Sequence, residues 1–138
     1  MVEIDVDVES LSASRSGAIW GDVWFTMNGD PFPERGWNDL VIALLVEFQA
    51  ALGVVDGGDS VRRVRFFDGP YWVEFESLGQ GGVKISTNTG LVASCGKVEV
   101  EGLVRRLGEL GRELVDACAA KGFEGSDDVK RLDRLSAR

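Results

Sequence analysis

The chain of 138 residues contains no histidine. Histidine is the usual general base of serine and cysteine hydrolases and the commonest metal ligand in proteins. Its absence excludes Ser-His-Asp catalysis, Cys-His catalysis and histidine-ligated zinc, and it lowers the expectation of an enzyme. We therefore expect a protein without catalytic residues, without a bound metal and without a cofactor.

Cysteine is scarce, because Cys95 and Cys118 are the only two in the sequence. No Cys-x-x-Cys pair is present, which excludes zinc ribbons and thioredoxin-like redox motifs. Both cysteines lie in apolar segments, where a free thiol behaves as a small hydrophobic group. We expect two buried free thiols, and the sequence leaves open whether they lie close together.

Long apolar runs are missing as well. The longest is Leu40–Val46, with seven residues, whereas a membrane-spanning helix needs about 20. Residues 2–9 alternate between aliphatic and acidic side chains, unlike the basic and then apolar start of a secretory signal. We expect a cytoplasmic protein that does not bind membranes.

Basic residues are few in the first part of the chain. Residues 1–60 carry eleven acidic and two basic side chains, whereas residues 61–138 carry twelve acidic and thirteen basic ones. The net charge of −8 therefore originates in the first part. Such a field repels phosphate and attracts cations, so we expect a basic protein partner and no binding to nucleic acid. A purely solubilising role is the alternative.

Regular hydrophobic patterns predict the secondary structure. Alternation predicts strands, and spacings of three and four residues predict amphipathic helices. The predicted strands cover residues 2–9, 18–27, 61–67, 71–78, 83–88 and 91–100, and the predicted helices cover residues 37–53 and 101–121. This ββαββββα order predicts one two-layer α+β domain over residues 1–138, with both helices on a single antiparallel sheet of about six strands. We expect residues 124–138 to form a charged C-terminal helix or tail.

The hairpin around residues 68–70 has a predictable register. Pro70 cannot donate a ladder hydrogen bond, which favours a four-residue loop over a two-residue turn. That loop places Arg63 opposite Glu74 and Arg65 opposite Trp72, and we expect an ion pair in the first case and stacking in the second.

The first two strands place carboxylates and tryptophans on one predicted outer face. The predicted partner-binding residues are Glu3, Asp5, Asp7, Glu9, Trp20, Asp22 and Trp24. Aromatic anchors among charged side chains are typical of protein interfaces. The alternatives are a solvated sheet edge and a face covered by a loop or by helices. Trp72 joins this patch if the strands align.

Two further patterns have simpler explanations. A set of carboxylates near the second strand would form an acid–base pair or a metal site if the fold gathered them: Asp22, Asp30, Glu34 and Asp39. A turn role for Asp30 and a helix-capping role for Asp39 explain two of them without chemistry. Residues 79–84 lack the Gly-Lys-Ser/Thr ending of a phosphate-binding loop, which indicates a turn.

Several segments together carry a family resemblance. They are Phe32-Pro-Glu-Arg-Gly-Trp37, the following segment 38–51, Phe67-Asp-Gly-Pro-Tyr71 and Leu114-Val-Asp-Ala-Cys-Ala-Ala-Lys-Gly-Phe123. In layout they resemble small bacterial proteins, some of which resemble immunity proteins of polymorphic toxin systems. The resemblance implies a cytoplasmic, non-catalytic protein that binds and blocks a basic effector. It carries no catalytic residue over to this sequence.

Two other functions stay open. One is a homo-oligomeric accessory protein, most simply a twofold dimer that buries its exposed apolar surface. The other is a carboxylate-based enzyme or small-molecule binder, which requires a polar pocket with at least two acids of raised pKa.

Overall fold

The computed structural model describes residues 1–58 and 61–136. Within them the chain folds into two antiparallel sheets and three helices, which confirms the α+β class. In chain order the elements are β1 (Val2–Ala13), β2 (Ile19–Met27), β3 (Asp30–Phe32), β4 (Asn38–Asp39), α1 (Val41–Asp56), β5 (Val61–Arg65), β6 (Trp72–Gly79), β7 (Gly82–Thr87), β8 (Val92–Cys95), α2 (Lys97–Ala120) and α3 (Asp127–Ser136).

The first sheet is built around β2. β1 pairs with one edge of β2, and the short strands β3 and β4 both pair with the other edge. Alternate residues of β2 are buried, and Ile4 of β1 packs into the same core opposite Phe25. β1 is therefore an edge strand, as its run of like charges predicts.

A bulge interrupts the pairing of β1 with β2 between Asp7 and Ser12. The Ser10 hydroxyl fills the gap, because it donates to the Asp7 carbonyl oxygen at 2.6 Å and accepts from the Asp22 N–H at 2.8 Å. Gly21 faces the bulge, and a Cβ there would lie 2.9 Å from side-chain atoms of Leu11 and of Val41. The bulge lets β1 continue to Ala13, beyond the predicted end of the strand at residue 9.

The second sheet is a meander in the order β5-β6-β7-β8. Arg63 pairs with Glu74 and Arg65 with Trp72, so the predicted register is confirmed. The predicted ion pair is present, with Arg63 Nη2 3.0 Å from Glu74 Oε2. The guanidinium over Trp72 is that of Arg63, 3.8 Å from the ring centroid, rather than that of Arg65. One arginine therefore serves both interactions.

Helix α1 lies between the two sheets and also contacts α2 and α3. Its buried residues cover most of the helix surface, and Glu47, Ala50 and Val54 form one exposed stripe. The helix is therefore amphipathic, as predicted, but with a wider buried face. Phe48 links the sheets, because its ring contacts Phe25 of β2 and Phe66, which follows β5. A helix with so wide a buried face needs neighbours on several sides.

This central helix explains why the prediction of a single six-stranded sheet in two layers is wrong. The strands form two four-stranded sheets, each of which packs on α1. Two short strands, β3 and β4, were not predicted because residues 30–39 contain two prolines and one glycine among mostly polar side chains. Their pairing depends on β2, which local sequence does not reveal.

Helix α2 begins at Lys97 instead of residue 101, and the strand before it ends at Cys95 instead of residue 100. Gly96 is the N-cap of α2, and its N–H donates to Glu99 Oε1 at 3.3 Å. That hydrogen bond satisfies one free donor at the helix start.

The charged C-terminal segment folds as helix α3, which packs against α1 and α2 through Val129, Leu132 and Ser136. Residues 137–138 of the predicted segment lie outside the described residues. In the described part of the chain, none of the helices combines the length and the apolar character needed to cross a bilayer.

Candidate functional site

The outer face of the first sheet brings together six of the seven predicted partner-binding residues. Asp5 of β1 lies opposite Trp24 of β2, and Asp7 lies opposite Asp22. Directly opposite residues share one face of an antiparallel pair, with Cβ atoms about 4.5–5.5 Å apart. Carboxylates and an indole therefore adjoin on the face that points away from the core.

Two tryptophans flank this carboxylate cluster along β2. Trp20, Asp22 and Trp24 alternate with buried residues and are themselves half-buried. Alternate residues of a strand point to the same face and are about 7 Å apart. The indoles are thus partly open to solvent, on either side of Asp22.

Glu9 is the exception among the predicted residues. It lies in the bulge, outside the paired rows, and its backbone N–H donates to Asp7 Oδ1 at 3.0 Å. The strict alternation that placed all four β1 carboxylates on one face therefore ends at Asp7. Glu9 is exposed, but it is not part of the flat face.

The carboxylates of this face divide into two groups. Asp7 holds the bulge through Glu9, and Asp22 Oδ1 accepts from Asn38 Nδ2 at 3.1 Å. Glu3 and Asp5 take part in none of the side-chain hydrogen bonds or ion pairs between described residues. Their carboxylates are therefore available to a binding partner. We call Glu3, Asp5, Asp7, Trp20, Asp22 and Trp24 the acidic face.

Trp72 does not join the acidic face. It lies on the second sheet, under the Arg63 guanidinium, so the expected alignment of three tryptophans is wrong. The reason is the split into two sheets, which puts β2 and β6 in different sheets.

The carboxylates near β2 do not gather into an acid–base or metal site. Asp39 is buried, whereas Asp22, Asp30 and Glu34 are at the surface. Among residues 1–58 and 61–136, no cluster of three or more carboxylate or cysteine side chains is arranged to hold a metal ion. Asp39 is not the N-cap of α1 either; that position is Leu40, whose N–H donates to Asp39 Oδ1 at 2.7 Å.

A groove of about 420 Å³ beside β1 was missed by the sequence reasoning. Its β1 side consists of residues 1–5, and its α2 side contains Glu99, Gly102, Leu103 and Arg106. The spacing of these α2 residues, 0, 3, 4 and 7, marks one helical stripe. Nothing local in the sequence says that this stripe faces β1.

Both cysteines are buried free thiols, as predicted. Burial raises the pKa of the Cys95 thiol, and the Glu99 carboxylate adds to that shift. Burial also raises the pKa of Cys118, which Lys121 partly opposes.

We expect both thiols to react slowly with iodoacetamide in the folded protein at pH 8, at least about tenfold more slowly than in guanidinium chloride, because only an accessible thiolate attacks. Cys118 is fully buried and should be the slower of the two, since Cys95 lines the groove. Mass spectrometry of each cysteine peptide over time measures both rates. Native labelling at the unfolded-state rate would contradict the buried placement.

The chain matches no protein-family model, no curated protein and no solved structure.

Proposed function

We propose that this chain is a non-catalytic protein-binding domain whose acidic face binds a basic protein. The observation that carries the proposal is the juxtaposition of Asp5 with Trp24 and of Asp7 with Asp22 on a face outside the core. Half-buried tryptophans supply anchoring area, and the unpaired charges of Glu3 and Asp5 supply attraction over a longer range.

The kind of partner follows from charge. A protein that acts on nucleic acid carries a basic surface to neutralise phosphate. Carboxylates spaced along a strand offer such a surface a substitute for phosphates, and they speed its association. We infer an immunity-type role, in which the chain blocks a basic toxin in the cytoplasm. The layout resemblance of residues 32–37, 67–71 and 114–123 to immunity proteins favours the same role.

The test is capture of a partner by the tagged chain from its source cells, followed by affinity measurement with the purified pair. Glu3→Lys with Asp5→Lys should lower the affinity about 10- to 100-fold, or about 1.4–2.8 kcal/mol. The control Asp116→Lys with Asp133→Lys makes the same change in net charge at exposed positions of α2 and α3. It should bind nearly as the parent chain does.

A pair of tryptophan variants tests the anchors separately. Trp24→Ala should cost about 2 kcal/mol or more of binding free energy if the indole is a hot spot. Trp72→Ala removes an equally half-buried tryptophan from the other sheet and should leave binding unchanged. A partner that binds both double-lysine variants alike and tolerates Trp24→Ala would refute the acidic face as its site. Recovery of the chain alone, at a mass of two copies, would favour the homo-oligomeric alternative.

A further inference from the structure

The edge strands of the two sheets differ in how they are protected from pairing with another chain. Natural sheets protect their edges with charged side chains or with very short strands. β1 carries acids at positions 3, 5 and 7, and β5 carries arginines at positions 62, 63 and 65. The edge formed by β3 and β4 is divided into strands of three and two residues. β8 differs from the other edges, because its four residues, Val-Ala-Ser-Cys, have no charge.

The backbone of β8 has hydrogen-bonding groups on the side away from β7. The Thr87 N–H donates to the Leu91 carbonyl oxygen at 3.0 Å, so these two residues form a hydrogen-bonded pair. Hydrogen-bonded and non-hydrogen-bonded pairs alternate along an antiparallel ladder. The N–H and C=O groups of Val92 and Ser94, one and three positions after Leu91, therefore point away from β7.

These two residues are also the accessible ones of the strand. Val92 is 49 % exposed and Ser94 is exposed, whereas Ala93 between them is buried and has its backbone groups towards β7. Among residues 1–58 and 61–136, β8 pairs with β7 alone. Val98, in the first turn of α2, is 79 % exposed and lies three positions beyond the strand. The edge therefore combines accessible backbone groups with apolar surface.

We propose that the β8 edge binds a second copy of this chain, with the two β8 strands antiparallel about a twofold axis at Ala93. In this register Val92 of each copy lies opposite Ser94 of the other copy. Both pairs are hydrogen-bonded pairs, in which the two residues exchange both of their N–H···O=C bonds. The second sheet of one copy then continues into the second sheet of the other.

This register suits two identical strands. A valine faces a serine at both hydrogen-bonded pairs, so no like charges meet across the axis. The two Ala93 residues form a non-hydrogen-bonded pair, in which opposite Cα atoms are about 4.5 Å apart, and the small alanine side chain permits that approach. Pairing of β1 or β5 with its own copy would instead place acids beside acids or arginines beside arginines.

The dimer leaves the acidic face open. That face belongs to β1 and β2 of the first sheet, whereas β8 is an edge of the second sheet. β8 also has no carboxylate that would attract a basic protein. The inference therefore goes beyond the proposed function and does not depend on it, and one dimer would present two acidic faces.

Sedimentation equilibrium of the full chain from about 10 μM to about 1 mM measures self-association. Because β8 has only four residues, the contact is short and the dimer should form in the upper part of this range. The mass should rise from 15.0 kDa towards twice that value. Hydrogen exchange of the Val92 and Ser94 amides should slow about threefold or more as the dimer forms, because each amide gains an acceptor.

Charge variants at the two exposed positions test the register. Val92→Lys with Ser94→Lys puts like charges opposite each other at both pairs, so the dissociation constant should rise at least about tenfold. General repulsion between copies would act in the opposite direction, because this change reduces the net charge of −8 by two units. Val92→Lys with Ser94→Glu puts each lysine opposite a glutamate of the other copy. It should dimerise at least about tenfold more tightly than the variant with two lysines.

The control Val61→Lys makes the same change at an exposed valine of β5, the opposite edge of this sheet. It should dimerise as the parent chain does. Three results would each overturn the proposal: a mass of 15.0 kDa at every concentration, equal dissociation constants for the two double variants, or loss of the dimer in Val61→Lys. Failure of the acidic face to bind a partner would leave the dimer unaffected.

Discussion

Replacing Asp39 with alanine is expected to lower the free energy of unfolding by about 3–5 kcal/mol. This carboxylate is fully buried and accepts three hydrogen bonds. Its Oδ2 accepts from the indole Nε1 of Trp37 at 3.0 Å and from the Asp68 N–H at 3.1 Å, and its Oδ1 accepts from the Leu40 N–H. With alanine at this position, all three N–H donors would lose their acceptor.

The size of the loss follows from where these donors lie. Leu40 opens α1, Trp37 precedes β4, and Asp68 belongs to the loop between β5 and β6 of the other sheet. Asp39 thus joins the central helix to both sheets. Each unsatisfied donor costs about 1–3 kcal/mol where water cannot replace the acceptor.

Urea unfolding followed by far-ultraviolet circular dichroism measures the effect of Asp39→Ala without relying on Trp37 fluorescence. Asp39→Asn keeps one carbonyl oxygen but turns an N–H₂ towards the donors, so it should fall between the parent chain and alanine. The control is Asp22→Ala, whose carboxylate accepts one exposed hydrogen bond, from Asn38. Its cost should stay below about 1 kcal/mol. Equal midpoints for Asp39→Ala and Asp22→Ala would show that the buried acceptor is dispensable.

Features set by neighbouring residues were predictable. The Arg63–Glu74 register follows from the loop that Pro70 requires. The edge position of β1 follows from its like charges, and the burial of both cysteines follows from their apolar surroundings. Each depends on turn chemistry or on periodicity within a few residues.

Features set by tertiary packing were not predictable. Helix α1 also buries Ile42, Val46 and Ala51, outside the predicted apolar stripe, because it packs against both sheets, α2 and α3. Asp39 reads as a cap because its neighbours start a helix, yet its main partners are a tryptophan two residues back and a backbone amide 29 residues ahead. No local sequence pattern identifies the Asp68 amide as a partner of Asp39.

The candidate site shows the same division. Alternation alone assigns Asp5, Trp24 and Asp22 to outer faces, and the β1–β2 register then places Asp5 beside Trp24. The groove beside β1 needs α2 to run next to that strand, a contact between residues about a hundred positions apart. Sequence reasoning therefore finds the acidic face but misses Glu99, Gly102 and Arg106.

Gly111 should be the least replaceable glycine of α2. A Cβ at this position would overlap Ser136 Oγ, and it would lie 2.9 Å from Ser136 Cβ and 3.0 Å from Gln49 Nε2. We expect Gly111→Ala to destabilise the fold by about 1–3 kcal/mol. The same substitution at Gly102, where space is open, should stabilise it by about 0.5–1 kcal/mol through helix propensity. One helix therefore gives opposite signs for one chemical change.

The cause lies in how α3 is held. It has ten residues, too few to be stable as an isolated helix. It depends on Ser136, whose Oγ contacts Gln49 Nε2 at 3.1 Å and whose carbonyl oxygen accepts from Arg112 at 2.8 Å. An alanine at position 111 forces Ser136 away from both partners, so the amides of α3 should lose exchange protection before the rest of the chain does.

A double-mutant cycle with Ser136→Gly isolates this contact from helix propensity. Ser136→Gly alone loses the Gln49 hydrogen bond and sets the baseline. On that background the clash with Oγ and Cβ is gone, so Gly111→Ala should cost at least about 1 kcal/mol less than it does on the parent chain. Urea unfolding of the four chains gives the coupling energy, and hydrogen exchange shows whether α3 opens first. Additive effects, or a Gly111→Ala chain as stable as Gly102→Ala, would mean that the packing of α3 does not depend on the lack of a side chain at position 111.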